Sequence, residues 1–194
     1  MNVLALDLGT HTGFAVRGHC ATIHSGTWHL ADPKNIKIAR AAREDRKCDD
    51  RFFELCRQIE QAVDFHDIGA VVFEDVMFST YTFQVQLWSS LRAAIWAAAR
   101  YHPIAVVPGG ARVGRLVIDC VNTATLKKFA TGHGNAVKAQ MAAHALRRFP
   151  DEFTKNPNPT ANCSLLKKYN GEKVDDNEVD ARLLLDYFSY LWQP

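Results

Sequence analysis

The first apolar run, Val3-Leu4-Ala5-Leu6-Asp7-Leu8, is hydrophobic at both alternating sets of positions and predicts a buried strand over 3–8. Gly9-Thr10-His11-Thr12-Gly13 reads as a turn. Phe14-Ala15-Val16-Arg17 then starts a second strand and Ala21 to Leu30 a third, an early antiparallel meander. From Lys34 to Phe65 the spacing turns helical, and Phe52, Leu55, Ile59 and Val63 share one apolar face. Gly69 to Val76 is again apolar on both faces, as a central strand is. Thr80 to Arg100 predicts a long helix rich in Ala and Trp. Ile104 to Val107 and Leu116 to Val121 are further strand candidates, separated by a loop containing Pro108-Gly109-Gly110. Thr123 to Thr131 fits a short helix broken by Gly132-His133-Gly134, and Asn135 is a candidate cap for a helix reaching about Arg148. Pro150 to Asp175, with Pro157, Pro159 and Gly171, predicts an irregular loop, and a last helix runs from about Asp176 to Leu191. This order of strands and helices specifies a mixed α/β layer architecture.

Length fits one domain of 194 residues with an elaborated loop at about 150–175. Net charge is +2 with a pI near 8.3, so a basic surface for a polyanion has to be built locally. The five cysteines form no CxxC pair and no zinc spacing, and an odd count favours reduced thiols in the cytoplasm. Met1-Asn2-Val3-Leu4 runs straight into the strand pattern, with no basic leader, and no apolar stretch is long enough to span a bilayer. The eight histidines are scattered, without an HExxH pair.

Three acids interrupt this pattern. Asp7 alternates onto the strand face of Val3 and Ala5, and Glu74 onto that of Val72 and Val76. In the last helix Asp180 lies on the stripe continued by Leu184, Tyr187 and Leu191, with Asp176 and Asn177 one turn earlier on that side. Carboxylates where burial is expected are paired, protonated or bound to a metal. Helix capping and the macrodipole account for Asp175, Asp176 and Glu178 but poorly for Asp180. Asp7 or Glu74 alone reads as a strand-end acid. Together, one early, one central and one late, the three suggest a cage for Mg2+, with Mn2+ as a substitute. Two ions roughly 3.5–4 Å apart would suit phosphoryl transfer.

The segments Leu4-Ala5-Leu6-Asp7-Leu8-Gly9-Thr10 with Gly13, Val72-Phe73-Glu74-Asp75-Val76, Thr125 to Gln140, and Asp176-Asn177-Glu178-Val179-Asp180-Ala181 resemble the RuvC family of Holliday-junction resolvases in order and spacing. The resemblance implies an RNase H-like mixed sheet, antiparallel first and then parallel, flanked by helices. It also implies Mg2+-dependent hydrolysis of DNA phosphodiesters by a homodimer that cuts branched DNA symmetrically. Carried over by position, Asp7, Glu74 and Asp180 are catalytic metal ligands. The family usually has Asp or His where this chain has Asn177. Either Asn177 supplies a neutral oxygen, or Asp176 turns in, or a substitution here has silenced the enzyme. Lys127 and Lys138 match positions that face the substrate phosphate. Lys138 is independently odd, because a cation in the first turn of a helix opposes its dipole, although a solvated lysine on a capped helix explains it too.

Phe78, close after Glu74, either stacks on unpaired bases or packs at a helix start. The basic run Lys34, Lys37, Arg40, Arg43, Arg46, Lys47 is interleaved with acids and reads first as a solvated face. Arg112, Arg115, Lys167 and Lys168 are further candidates for DNA contact. Leu87, Leu91, Ala94 and Ala98 give the long helix an apolar face that Trp88, Ile95, Trp96 and Ala99 widen. Ala93 and Ala97 add small residues for close approach of a second copy, the alternative being an unusually buried core helix. Competing functions are an RNase H acting on another duplex, a non-catalytic DNA-binding relative, and a sugar-kinase or actin-like ATPase suggested by Asp7-Leu8-Gly9-Thr10. The ATPase would need a second similar domain, for which 194 residues leave no room.

Overall fold

The computed structural model describes residues 1–18, 23–31, 49–76, 82–101, 105–106, 112–113, 116–150, 166–169 and 172–192. The opening runs form β1 (Asn2–Asp7), β2 (His11–Arg17) and β3 (Ile23–His29). Helix α1 (Asp50–His66) leads into β4 (Ile68–Asp75), and α2 (Thr82–Tyr101) follows. Next come β5 (Ala105–Val106), β6 (Arg112–Val113), β7 (Val117–Asn122), α3 (Thr123–Thr131) and α4 (Lys138–Arg148). The chain closes with β8 (Leu166–Tyr169), β9 (Glu172–Asp175) and α5 (Asp176–Leu191).

The main sheet has the order β3-β2-β1-β4-β7. β1 to β3 are antiparallel neighbours, while β4 and β7 join parallel to β1. Strand parity sorts the core into two halves. Val3, Ala5, Ala70 and Val72 pack under residues of α3, α4 and α5; Leu4, Leu6, Val71 and Phe73 pack under α1 and α2.

Several elements differ from the pattern reading. The strand candidate at 104–107 does not enter the main sheet: β5 pairs with β6 as a separate ribbon, a partner close in sequence winning over one farther away. Of the segment read as an irregular loop, 151–165 lies outside the described residues, and its end folds into the β8–β9 hairpin. The cap of α4 is Val137 rather than Asn135, because Ala136 first turns into the core. Gln140 Oε1 then accepts the Val137 N–H at 3.0 Å. In α5, residues 181–185 are all buried, so the helix is enclosed nearly all round; its supposed stripe ends with Tyr187 half-buried and Leu191 exposed.

The apolar face of α2 is also used differently. Leu87, Leu91, Ala94, Ile95, Ala98 and Ala99 are buried in the chain's own core against α1 and the sheet. They are not available to a second subunit. What α2 turns outward is narrower: Val85, Ala93 and Trp96, the indole 60% exposed. Among the described residues, no helix is long and apolar enough to cross a membrane.

One buried cation braces the loop after β1. Arg51 is 5% exposed and grips its own helix cap, Asp49, through Nε at 2.7 Å and Nη2 at 2.6 Å. Its Nη1 donates to Thr10 Oγ1 at 3.1 Å, and the guanidinium lies 5.2 Å from the Phe83 ring. The Asp49 carboxylate satisfies the charge that burial would otherwise penalise. Thr12, fully buried, ties the turn from inside by donating to the Gly9 carbonyl at 2.7 Å.

Candidate functional site

Leu6 stands beside Phe73 in the parallel pairing of β1 with β4, so Asp7 and Glu74, the next residues of each strand, reach the same end of the sheet. Alternation puts both on the face covered by α5, with Ala5 and Val72 behind them. On the other side of β1, Asp7 pairs with Gly13 of β2. A Cβ at Gly13 would overlap the Asn177 carbonyl, so α5 begins in direct backbone contact with β2. That close approach carries Asp180, one turn on, over the two strand acids.

The electrostatics record the convergence. Burial raises the Asp7 carboxyl well above the usual carboxylate range, and the charges of Asp180 and Glu74 add to it while Lys138 opposes. Asp180 is pushed up to about 7, first by burial and then by Glu74, with Lys138 and Lys127 pulling the other way. For Lys138 burial acts to lower the pKa, but the carboxylates of Asp180, Asp176 and Asp7 outweigh it and raise the group. The ammonium of Lys138 reaches Asp176 Oδ2 at 3.5 Å, and Asp176 is itself 7% exposed.

Asn177 is engaged elsewhere. Its backbone N–H and its Nδ2 both donate to Asp175 Oδ1, each at 3.0 Å, which makes Asp175 the cap of α5. The other Asp175 oxygen accepts from Thr27 Oγ1 at 2.8 Å. The structure therefore brings together Asp7, Glu74, Asp180 and Lys138, with Lys127 close enough to act on Asp180. It adds Asp176 to the group, while the Asn177 amide is tied back to the cap. Phe78, Arg115 and the basic run at 34–47 lie outside the described residues, as do the side chains of Arg112, Lys167 and Lys168.

Among the described residues, no three acidic, imidazole or thiol side chains stand in a ready ligand set. The acids share a field without closing on one point. Their chemistry still fits a hard divalent ion: several carboxylate oxygens, partly desolvated, carrying a proton affinity that a bound cation would relieve. Sequence reasoning missed one support of this site: Gly13 reads as a turn glycine but is needed for contact between strand and helix. Asp176, the alternative to Asn177 in the sequence, pairs with Lys138.

The mixed five-stranded sheet with helices on both faces is an RNase H-like fold of the RuvC kind. No protein-family model matches the sequence, and no curated protein sequence matches it. Solved structures do. RuvC of T. thermophilus in complex with a Holliday junction substrate is 16% identical, with 98% of this chain and 96% of that one covered at a TM-score of 0.59. A second Thermus thermophilus RuvC structure is also 16% identical, with the same coverages, at 0.54. The yeast mitochondrial Holliday junction resolvase Ydc2 is 14% identical, with 94% of this chain and 76% of that one covered, at 0.51.

Proposed function

We propose that this chain is a divalent-metal-dependent endonuclease that cuts branched DNA, the four-way junction above all. The observation that carries the reading is the meeting of Asp7, Glu74 and Asp180, with Lys138 among them, at the ends of β1 and β4. The likeness to a RuvC structure that holds a Holliday junction supports branched DNA as the substrate.

Asp7, Glu74 and Asp180 would hold Mg2+, or Mn2+ in its place, with two ions per site. Asp176 serves as the fourth ligand, because its carboxylate already acts on Asp180 and Lys138, whereas Asn177, held through Nδ2 by Asp175, offers only a neutral amide oxygen. When bound, such ions supply Lewis acidity to the phosphodiester and to the attacking water. A water oxygen bonds to phosphorus as one ester P–O bond breaks, leaving a phosphomonoester and a sugar hydroxyl. Lys138, held charged by its acidic neighbours, orients and neutralises the phosphate from the start of α4, and Lys127 does so from α3. The rigid strands β1 and β4 keep two of the acids in place, and Arg51 steadies the loop that follows Asp7.

The working assembly is a homodimer in contact through the exposed stripe of α2, Val85, Ala93 and Trp96. Two-fold symmetry then presents one site to each of two equivalent strands of a junction. The direct test compares cleavage of a four-way junction, a linear duplex and an RNA–DNA hybrid in Mg2+ and in chelator. Paired incisions in the junction, abolished in Asp7→Asn while junction binding persists, are the expected result. Preferential cutting of the hybrid would replace the substrate assignment, and full activity of Asp7→Asn would reject the site.

A further inference from the structure

The face that β2 and β3 turn toward α5 extends beyond the carboxylate cluster. Ser25 and Thr27 of β3 donate to Glu178 at 2.6 Å and to Asp175 at 2.8 Å. The next residue on that face is His29, which stands opposite His11 in the β2–β3 register. Their Nδ1 atoms face each other at 2.9 Å with the rings 77° apart. His29 is exposed and His11 half-buried, so the pair is open to solvent.

We propose that His11 and His29 form a two-imidazole clip for a borderline divalent ion of the Zn2+ class, separate from the carboxylate cluster. Imidazole nitrogen suits Zn2+, Ni2+ and Cu2+, whereas Mg2+ takes oxygen, so the two sites select different ions. Two nitrogens bound tetrahedrally at 2.0–2.1 Å stand about 3.3 Å apart. From 2.9 Å the two nitrogens need to part by a few tenths of an ångström, and the rings to turn so that both lone pairs meet at one point off the line between them. Both ligands project from paired strands, so the backbone register sets their separation and little ordering is left for binding to impose.

In the neutral pair one Nδ1 donates to the other. Binding moves that single proton to Nε2 of the same ring, which frees both Nδ1 lone pairs with no net proton released. Burial and the facing His29 lower the His11 pKa, which keeps the pair neutral and able to ligate, against a smaller opposing pull from Asp175. Two protein ligands leave the remaining positions to water, which makes this an open site of modest affinity rather than a closed structural one.

The test titrates Zn2+ by calorimetry into the full chain, with Mg2+ in excess to hold the carboxylate cluster. The wild type and Asp7→Asn should both take up one Zn2+ and gain thermal stability from it. His11→Ala and His29→Ala should each weaken Zn2+ binding by at least about tenfold. His24→Ala, in the separate His24–His66 ring pair, should leave it unchanged. Unaltered binding in a folded His29→Ala, or loss of binding in His24→Ala or Asp7→Asn, overturns the clip. If the alanine variants do not fold, the Cu2+-loaded wild type decides: nitrogen hyperfine from two imidazoles supports the clip, and oxygen-only ligation overturns it.

Discussion

Replacing Asp180 by Asn should stabilise the metal-free protein, by an amount that grows as pH rises from 3.8 to about 7. The Asp180 carboxyl titrates near 3.8 when unperturbed and at about 7 in the fold. Between those values the folded state holds a proton that the unfolded state has lost. The contribution of this group is therefore full below the lower value and is lost as pH rises through the upper one. At about 1.36 kcal/mol per pH unit, a rise from 3.8 to about 7 sets a ceiling of about 4 kcal/mol on the destabilisation in alkaline solution. Asp180 is partly open to water, and screening brings the expected gain in Asp180→Asn to about 2 kcal/mol. For a chain of this size that corresponds to a rise of about 4–8 °C in Tm. Melting curves in chelator at about pH 3.5 and about pH 8.5 make the comparison, since near the lower pH the unfolded carboxyl also keeps most of its proton and the gain is small. Adding Mg2+ should then stabilise the wild type more than the variant. An equal gain at both pH values, or none at the higher, would refute the account of Asp180 as a carboxylate held among other carboxylates.

Gly13→Ala should cost about 1–3 kcal/mol from overpacking and should reduce cleavage far more than stability alone explains, because the new methyl drives α5 off β2 at Asn177; chemical unfolding and a cleavage assay on the same sample separate the two effects. Asp176→Asn should raise the Mg2+ concentration needed for cleavage more than Asn177→Ala does, since Asp176 acts on Asp180 and Lys138 while the Asn177 amide bonds Asp175. The opposite order in a Mg2+ titration would make Asn177 the ligand. Trp96→Glu, at a position 60% exposed, should convert a dimer to a monomer in sedimentation at micromolar concentration without loss of fold. A wild type that sediments as a monomer both free and on junction DNA removes the dimer altogether.

Strand parity was the most legible part of the sequence. The alternation of Val3, Ala5 and Asp7 against Leu4, Leu6 and Leu8 assigned each side chain to the correct half of the core. Buried strands pack at a fixed period of two, so that inference needs no knowledge of the partner. Helix surfaces were harder to read, because periodicity tells how wide an apolar face is but not what covers it. The broad face of α2 belongs to the chain's own core, and the stripe through Asp180, Leu184 and Leu191 ends in solvent. Asp180 lies within the field of Asp7 and Glu74, although the stripe that draws attention to it does not hold along the helix. The roles of Gly13 and Arg51 were not legible at all: each depends on an element distant in sequence, Asn177 for one and Thr10 for the other.

Asp7 lies on β1, Glu74 on β4 and Asp180 on α5, so the acid group is drawn from elements far apart in the chain. A nascent chain that has emerged through β4 already carries two of the three acids on paired strands, yet it lacks the residue that brings them under one field. Competence at the site thus arrives with the final helix, and only if that helix seats against Gly13. On the proposed function, a chain that stops short of α5 lacks Asp180 and also loses the apolar cover of β1 and β2, so it offers neither the site nor half of the core.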